Sequence, residues 1–142
     1  MKIKKNRIYI KEILLNKKNT NTTKLFIIDK LDKIINAKRI FFICSKSKDF
    51  RGDHGHKKCK QVFISIKGVI KIETFDGYKK KFFFLQPFKT VLEVQPLVWV
   101  KVHFNSKQTL MVLCDKHFSE RDYIYKLEDL IKYQNAISKK IY

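Results

Sequence analysis

The sequence predicts an all-β fold, a small sandwich or barrel closed by a short C-terminal α-helix, on three observations. From Leu25 to about Cys114, short apolar runs alternate with turn signals, and helical periodicity is scarce. An Asp-Gly pair, Asp76-Gly77, stands between two β-rich runs, a strong short-range hairpin signal. Only after Lys116 do the apolar residues fall into helical spacing.

Residues 1–21 form a basic, polar segment around Ile8-Tyr9-Ile10, and Asn16-Lys17-Lys18-Asn19-Thr20-Asn21 reads as a loop. Residues 22–116 form the barrel. Strands are expected at 25–28 and 38–44, and the stretch from Arg51 to Gln61 reads as extended. The runs Val62–Ile66 and Val69–Phe75 flank Lys67-Gly68, and Asp76-Gly77 joins the second of them to Tyr78–Leu85. A type I′ turn there needs positive φ at both central positions, which Asp and Gly tolerate. Further strands at 90–94, 97–104 and 109–114 bring the total to about eight or nine, enough to close a jelly roll. Residues 117–142 hold the helix and a tail. Ser119-Glu120-Arg121-Asp122 has the S-x-x-D pattern of a capping box, ahead of Tyr123, Ile124, Leu127, Leu130 and Ile131. The helix is expected over roughly 120–134, its apolar stripe packed on the sheet.

Composition narrows the classes. At 142 residues the chain fits one domain, and 44% hydrophobic residues with twelve Phe can bury a core, which argues against a disordered polymer. The apolar runs, such as Ile40–Cys44, are too short to span a membrane, and neither signal peptide nor membrane insertion is expected. Thirty-two basic against thirteen acidic residues give +19, the balance of a polyanion binder. Yet 28 of the 32 are Lys and only Arg7, Arg39, Arg51 and Arg121 are Arg, whereas groove readers lean on bidentate Arg. No nucleic-acid partner is expected. Three cysteines, Cys44, Cys59 and Cys114, give no C-x-x-C pair and no disulfide framework, so reduced thiols in a cytoplasmic protein are expected. Cys44 and Cys114 lie in apolar runs and read as core residues.

The stretch that carries chemistry is Arg51-Gly52-Asp53-His54-Gly55-His56-Lys57-Lys58-Cys59-Lys60-Gln61. In an extended strand, residues two apart share a face, so His54 and His56 project together. An imidazole with an unperturbed pKa of about 6.5 accepts and returns a proton near neutral pH. Gln61 falls in the opposite register unless a bulge or bend intervenes. Tyr9, Tyr78 and Tyr123 carry no motif and read as structural.

The spacing resembles the first motif of the cupin superfamily, H-x-H followed by a carboxylate and then Gly, with Gln61 in the carboxylate position and Gly68 as the Gly. The second cupin motif falls on Pro96 to Asn105, where Val98 replaces its Gly and Lys101 its third metal-binding His; His103 is the remaining rescue ligand. A closer resemblance, over roughly residues 22–133, is to the metal-free sugar 3,4-ketoisomerases called WxcM-like. It rests on R-G-x-H-x-H-K-K-x-x-Q from Arg51 to Gln61, on Lys38-Arg39-Ile40-Phe41-Phe42-Ile43, on the Gly68–Ile72 and Asp76-Gly77 hairpin, on Pro96-Leu97-Val98-Trp99, and on the closing-helix string Arg121-Asp122-Tyr123-Ile124. After the Trp the family usually carries His or Arg, held to help choose the C4 epimer, whereas this chain has Val100. Thr22-Thr23-Lys24-Leu25 stands where the family has an R-G.

The resemblance implies a homodimeric isomerase, without cofactor or metal, that converts dTDP-4-keto-6-deoxyglucose to a 3-keto-6-deoxyhexose, 3-keto-6-deoxygalactose being favoured. The product would serve 3-amino-3,6-dideoxy sugar synthesis for a surface glycan. It further implies His54 as the base at C3 and His56 as the partner at C4 or at the enediolate oxygen. Arg51 and Arg39 become candidates for the pyrophosphate, Lys57 for added charge, Gln61 for the cavity, and Trp99 for a stacking wall, with a core role as its alternative. Two rival readings stay open: a metal-dependent cupin enzyme, and a non-catalytic module that binds polyanions.

Overall fold

In the barrel, apolar residues at alternate positions face inward and polar ones outward, so two sheets can close over a single core. The computed structural model describes residues 10–14 and 16–140, with side chains from Lys18 onward. The strands are β1 (Ile10–Leu14), β2 (Asn16–Asn19), β3 (Lys24–Ile27), β4 (Arg39–Cys44), β5 (Asp49–His56), β6 (Gln61–Lys67), β7 (Ile70–Phe75), β8 (Lys80–Leu85), β9 (Thr90–Val94), β10 (Trp99–Phe104), β11 (Thr109–Cys114) and β12 (Tyr123–Ile124), followed by helix α1 (Leu127–Lys139). One sheet runs β1-β9-β6-β11-β4 and the other β12-β5-β10-β7-β8, all pairings antiparallel; β2 and β3 form a separate hairpin. The expected all-β barrel with one C-terminal helix is what forms.

Between the sheets lies a core that includes Phe63, Leu92, Leu110 and Val112 from one side and Ile70, Ile72, Leu85, Val100, Val102 and Phe104 from the other. Each such side chain stabilises the fold by roughly 1.5–3 kcal/mol through burial. A second cluster, Val62, Ile64, Val91 and Leu113, sits on the opposite face of the first sheet under Ile28, Leu31, Ile34 and Ile35. That double coverage explains why β9 is buried along its whole length and β6 over its first five residues. A third cluster of Leu97, Ile124 and Leu130, with Phe75 and Trp99 against it, seats α1 beside the second sheet.

The structure departs from the sequence expectations at several points. Residues 16–19 are strand, because β2 pairs with β3 across a turn in which Thr20 Oγ1 accepts from the Thr23 amide at 2.9 Å. Ile8 and Tyr9 lie outside the described residues. Lys67-Gly68 joins two sheets and makes no hairpin; Gly68 has φ 81°, and a Cβ there would come within 2.7 Å of Gln108. The Asp76-Gly77 hairpin forms, with Phe75 paired to Lys80, but only Gly77 has positive φ. Instead of a type I′ turn, Asp76 Oδ1 accepts from the amides of Tyr78 and Lys79 at 2.9 and 2.7 Å. Cys44 is exposed on the edge strand β4, whose outward positions carry Ile40, Phe42 and Cys44. Most consequential, α1 begins at Leu127, seven residues later than expected. Ser119 makes no side-chain cap, residues Glu120–Asp122 form one 3-10 turn, and Tyr123-Ile124 become a strand because they pair with His56 and Gly55 of β5.

Candidate active site

The site is built on β5, and a bulge decides which of its side chains converge. Val100 of β10 pairs with His54, but the next residue, Lys101, pairs with Gly52, so Asp53 is the extra residue. Both bulge residues take positive φ, 81° at Gly52 and 60° at Asp53. A Cβ on Gly52 would lie 2.8 Å from the Val100 carbonyl oxygen, so the close approach of β10 needs glycine here. Cross-strand partners share a face. Arg51 pairs with Val102 and His54 with Val100, both core residues, so Arg51, His54 and His56 all belong to the inward face despite the odd spacing between Arg51 and His54. Arg51 stays exposed, and no side-chain hydrogen bond or ion pair engages it among the described residues.

His54 and His56 meet edge to face with ring centroids 5.1 Å apart. Tyr123, paired with His56 across β12, lays its ring 4.8 Å from His54 and 4.5 Å from His56. His56 is 5% exposed, and its Nδ1 lies 2.9 Å from Asp122 Oδ2. Asp122 in turn accepts from the amides of Lys58 at 2.7 Å and Cys59 at 3.3 Å, so the carboxylate is fixed by the turn that follows β5. With Nδ1–H donated to Asp122, His56 Nε2 carries the free lone pair; it is buried and without a partner among the described residues. Burial is the main cause that lowers the pKa of both imidazoles. For His54 it is opposed by the Gly52 backbone and by Asp53; for His56 it is opposed by Asp122 and reinforced by His54. Burial thus favours the neutral form of both rings.

Arg39 and Gln61 approach from the other sheet. Gln61 is buried, and its Nε2 donates to Cys114 Sγ at 3.6 Å; Arg39 Nη2 donates to the same sulfur at 3.4 Å and also hydrogen-bonds Tyr123. The guanidinium lies 5.5 Å from the rings of Phe41 and Phe118. Gln61 arrives by the bend between β5 and β6, which sit in different sheets. Lys57 turns to the outside, donating to the Arg121 carbonyl at 2.8 Å over the Tyr133 ring. It borders a cleft of about 580 Å³ between β12 and α1, lined also by Tyr123, Tyr125, Lys126 and Lys132.

Trp99 belongs to the outward register of β10; its Nε1 donates to Asp53 at 3.1 Å and its ring packs against the cluster under α1, on the side of β10 away from Val100 and the imidazoles. Lys101 and His103 share that outward register, with His103 bonded to Glu73 at 3.0 Å. His103 cannot join His54 and His56 around an ion, so the residues present do not fit the cupin metal set. The donor atoms of His56, Cys59 and Asp122 do lie within 4.8 Å of one another, but the Asp122 oxygens already hold His56 and two backbone amides.

The sequence reading missed Asp122 and Tyr123, having put both on a helix, and missed the Cys59, Cys114, Arg39 cluster. The available signal was the D-Y-I string itself, too short to show that it pairs with the His-x-His strand.

Residues 7–135 match the family described as FdtA: WxcM-like, C-terminal. Over 98 residues the chain is 34% identical to a TDP-4-oxo-6-deoxy-alpha-D-glucose-3,4-oxoisomerase of Aneurinibacillus thermoaerophilus, covering 68% of this chain and 70% of that one. Among solved structures it is similar to a His-to-Asn mutant of the 3,4-ketoisomerase QdtA from Thermoanaerobacterium thermosaccharolyticum in complex with TDP-4-keto-6-deoxyglucose. There the TM-score is 0.79 at 29% identity, over 87% of this chain and 91% of that one. A 3,4-ketoisomerase from Helicobacter canadensis gives a TM-score of 0.81 at 28% identity, over 89% and 97%.

Proposed function

The chain belongs to the WxcM-like family, and we propose that it is a nucleotide-sugar 3,4-ketoisomerase that converts dTDP-4-keto-6-deoxyglucose to the 3-keto-6-deoxyhexose by imidazole acid/base chemistry. The observation that carries this reading is the pair of neutral imidazoles sharing one inward face, one of them with a buried, unpartnered Nε2. The C3 hydrogen of a 4-ketohexose is acidified by the adjacent carbonyl. His54 removes that proton, and a proton reaching O4 gives an enediol spanning C3 and C4. Loss of the O3 proton and delivery of a proton to C4, by His56 or through the Tyr123 hydroxyl, leave the carbonyl at C3. Two groups poised near neutrality suffice for this exchange.

Arg39, which hydrogen-bonds Tyr123 beside the imidazoles, is the cation for the enediolate oxygens, and Arg51, on the same face as the histidines and without a side-chain partner among the described residues, is the one for the diphosphate. Gln61 positions Arg39 through their shared acceptor, Cys114. The enzyme works as a homodimer in the cytoplasm, forms the 3-keto-6-deoxygalactose epimer, and supplies an aminotransferase that makes the 3-amino sugar. Among the described residues no helix is long and apolar enough to cross a membrane.

The test is proton NMR of dTDP-4-keto-6-deoxyglucose with the protein in D₂O, coupled to a 3-aminotransferase that traps the product. The expected result is a 3-amino sugar carrying solvent deuterium at C4, whose coupling constants identify the epimer. A sugar that stays unchanged, with no exchange at C3, refutes the reading. Sedimentation of the same preparation tests the dimer.

A further inference from the structure

We infer that the outward face of the β5-β10-β7-β8 sheet is a platform for single-stranded nucleic acid, on the side of the sheet away from the imidazoles. The inference does not use the ketoisomerase reading and adds a second activity to it. Strand register builds the face. His103 pairs with Phe50 on one side and Lys71 on the other, and Lys71 pairs with Phe84, so one row across the four strands reads Phe50, His103, Lys71, Phe84. The next row reads Gly52, Lys101, Glu73, Phe82. Phe50, Phe82 and Phe84 are 50%, 47% and 59% exposed. On β8 it is Phe83 and Leu85 that turn inward to the core, so the core does not call for Phe82 and Phe84. A solvated sheet face ordinarily carries polar residues at such positions.

The rings are set among cations. Lys71 Nζ lies 4.6 Å from the Phe82 centroid and Lys101 Nζ 4.1 Å from that of Phe50. Loops at the Phe50 end bring more. The Asn105 amide donates to Gln108 Oε1 at 2.8 Å, Gln108 Nε2 donates to the Val69 carbonyl at 2.8 Å, and the Ser106 hydroxyl donates to the Lys46 carbonyl at 2.9 Å. These bonds gather Lys46, Lys48, Lys67 and Lys107, all exposed, at one end of the barrel. Like Lys71, they make no ion pair among the described residues. Glu73, the carboxylate in the second row, is already held by Lys80 at 2.8 Å and His103 at 3.0 Å. A cavity of about 350 Å³, large enough for a nucleobase, opens between Lys48, Asp49, Phe50, His103 and Asn105.

Charge decides the occupant. A second copy of the chain would set these lysines against one another. A duplex hides its bases from stacking and is read by bidentate Arg, while the Arg of β5, Arg51, faces inward. A single strand offers both complements, bases for the phenyl faces and phosphates for the lysines, and point charges suffice for it. From β5 to β8 the platform spans three strand spacings, about 14 Å, a width that several consecutive nucleotides cross.

The test is fluorescence anisotropy of a labelled single-stranded oligo(U) of about twelve nucleotides, within the usual 4–16 of such sites, titrated with the full chain at low salt. Saturable binding is expected, with a dissociation constant of about 10⁻⁴ to 10⁻⁶ M and a log–log salt slope of about −0.7 for each lysine engaged. Phe50→Ala and Phe84→Ala should each weaken binding by about fivefold or more with the slope unmoved, and Lys48→Ala should reduce the slope by about 0.7. Phe84→Leu keeps the apolar bulk and removes the ring, so it should bind as Phe84→Ala does and not as the unaltered chain. An abasic strand of the same length should bind about tenfold more weakly or worse. No binding at about 10⁻⁴ M protein, or equal affinity for the abasic strand, a duplex and the Phe variants, overturns the inference. So does a Phe84→Ala chain whose oligomeric state in sedimentation differs from that of the unaltered protein, because the face is then an interface between copies. Isomerisation by the Phe84 variants should be unchanged, and the binding assay needs no sugar nucleotide, so failure here is distinguishable from failure of the ketoisomerase reading.

Discussion

Among the described residues, two histidine–carboxylate pairs of nearly equal length stand on this barrel, and they differ in what surrounds them. His56 and Asp122 lie 2.9 Å apart with side chains 6% and 13% exposed, whereas His103 and Glu73 lie 3.0 Å apart at 35% and 20%. Glu73 is shared with Lys80 at 2.8 Å, which is the main cause of its lowered pKa. Asp122 is tied to two backbone amides instead, and the far nitrogen of His56 meets no partner among the described residues. A half-buried pair open to solvent contributes little, because water screens it and solvates the freed nitrogen. A buried one fixes the tautomer and leaves a base with nothing to do but meet a substrate. The lesson is that distance alone does not identify an acid/base group; what the remaining nitrogen faces does.

The sharpest way to break this contrast is to remove an imidazole from each face. His54→Asn is expected to lower kcat by about 10³-fold, while His103→Asn changes it less than about twofold, both measured in the coupled aminotransferase assay. Next in size is Gly52→Ala. The added Cβ meets the Val100 carbonyl at a position with φ 81°, so the bulge must shift and His54 with it. Activity should fall by about 10²-fold and stability by about 1–3 kcal/mol, read by chemical denaturation; an unchanged rate would mean that the bulge does not set the site.

Asp122→Asn should lower kcat by about tenfold and also move the pH profile, which a purely structural loss would not. Asp122 favours the charged form of His56, so its removal lets the His56 pKa fall further and the acid limb shift to lower pH. Glu73→Gln should leave the profile in place. For the unaltered protein, burial lowers the pKa of both histidines from the ordinary 6.5 and so favours their neutral form. The acid limb of kcat/KM should accordingly lie below pH 6.5 and the rate should fall as pH drops through it; a midpoint above pH 6.5 contradicts the burial argument. The smallest expected change in rate, but the most specific in product, comes from Val100→His. Val100 is buried and directly paired with His54, so a donor there reaches the same face and should alter the ratio of C4 epimers read by NMR.

Much of the barrel was legible along the chain. Strands β4 and β6 to β11 fall where apolar runs and turn residues put them, and Asp76-Gly77 does close a hairpin. Their core stripes depend only on alternation, a local property. The His-x-His pair was legible for the same reason. The Ser119–Asp122 pattern misled because a capping box is a weak local preference, and the pairing of Tyr123-Ile124 with β5 outweighs it. Trp99 reads equally well as a stacking wall or as core, since one Trp on a strand does not say which face is inside; its bond to Asp53 and its packing under α1 decide it.

By itself, then, the sequence determined the fold class, the shared face of His54 and His56, the departure of Lys101 from the cupin ligand pattern, and the resemblance that the family match bears out. Tertiary structure alone decided that Arg51 shares the face of the histidines, that Asp122 and Tyr123 contact them, that His103 faces away, and that Cys114 accepts from Arg39. Side-chain alternation within a strand is set by backbone geometry from one residue to the next. Which strand pairs with which, and where a bulge resets the register, depends on contacts between residues far apart in the chain; Arg39 and Cys114, for example, are 75 positions apart.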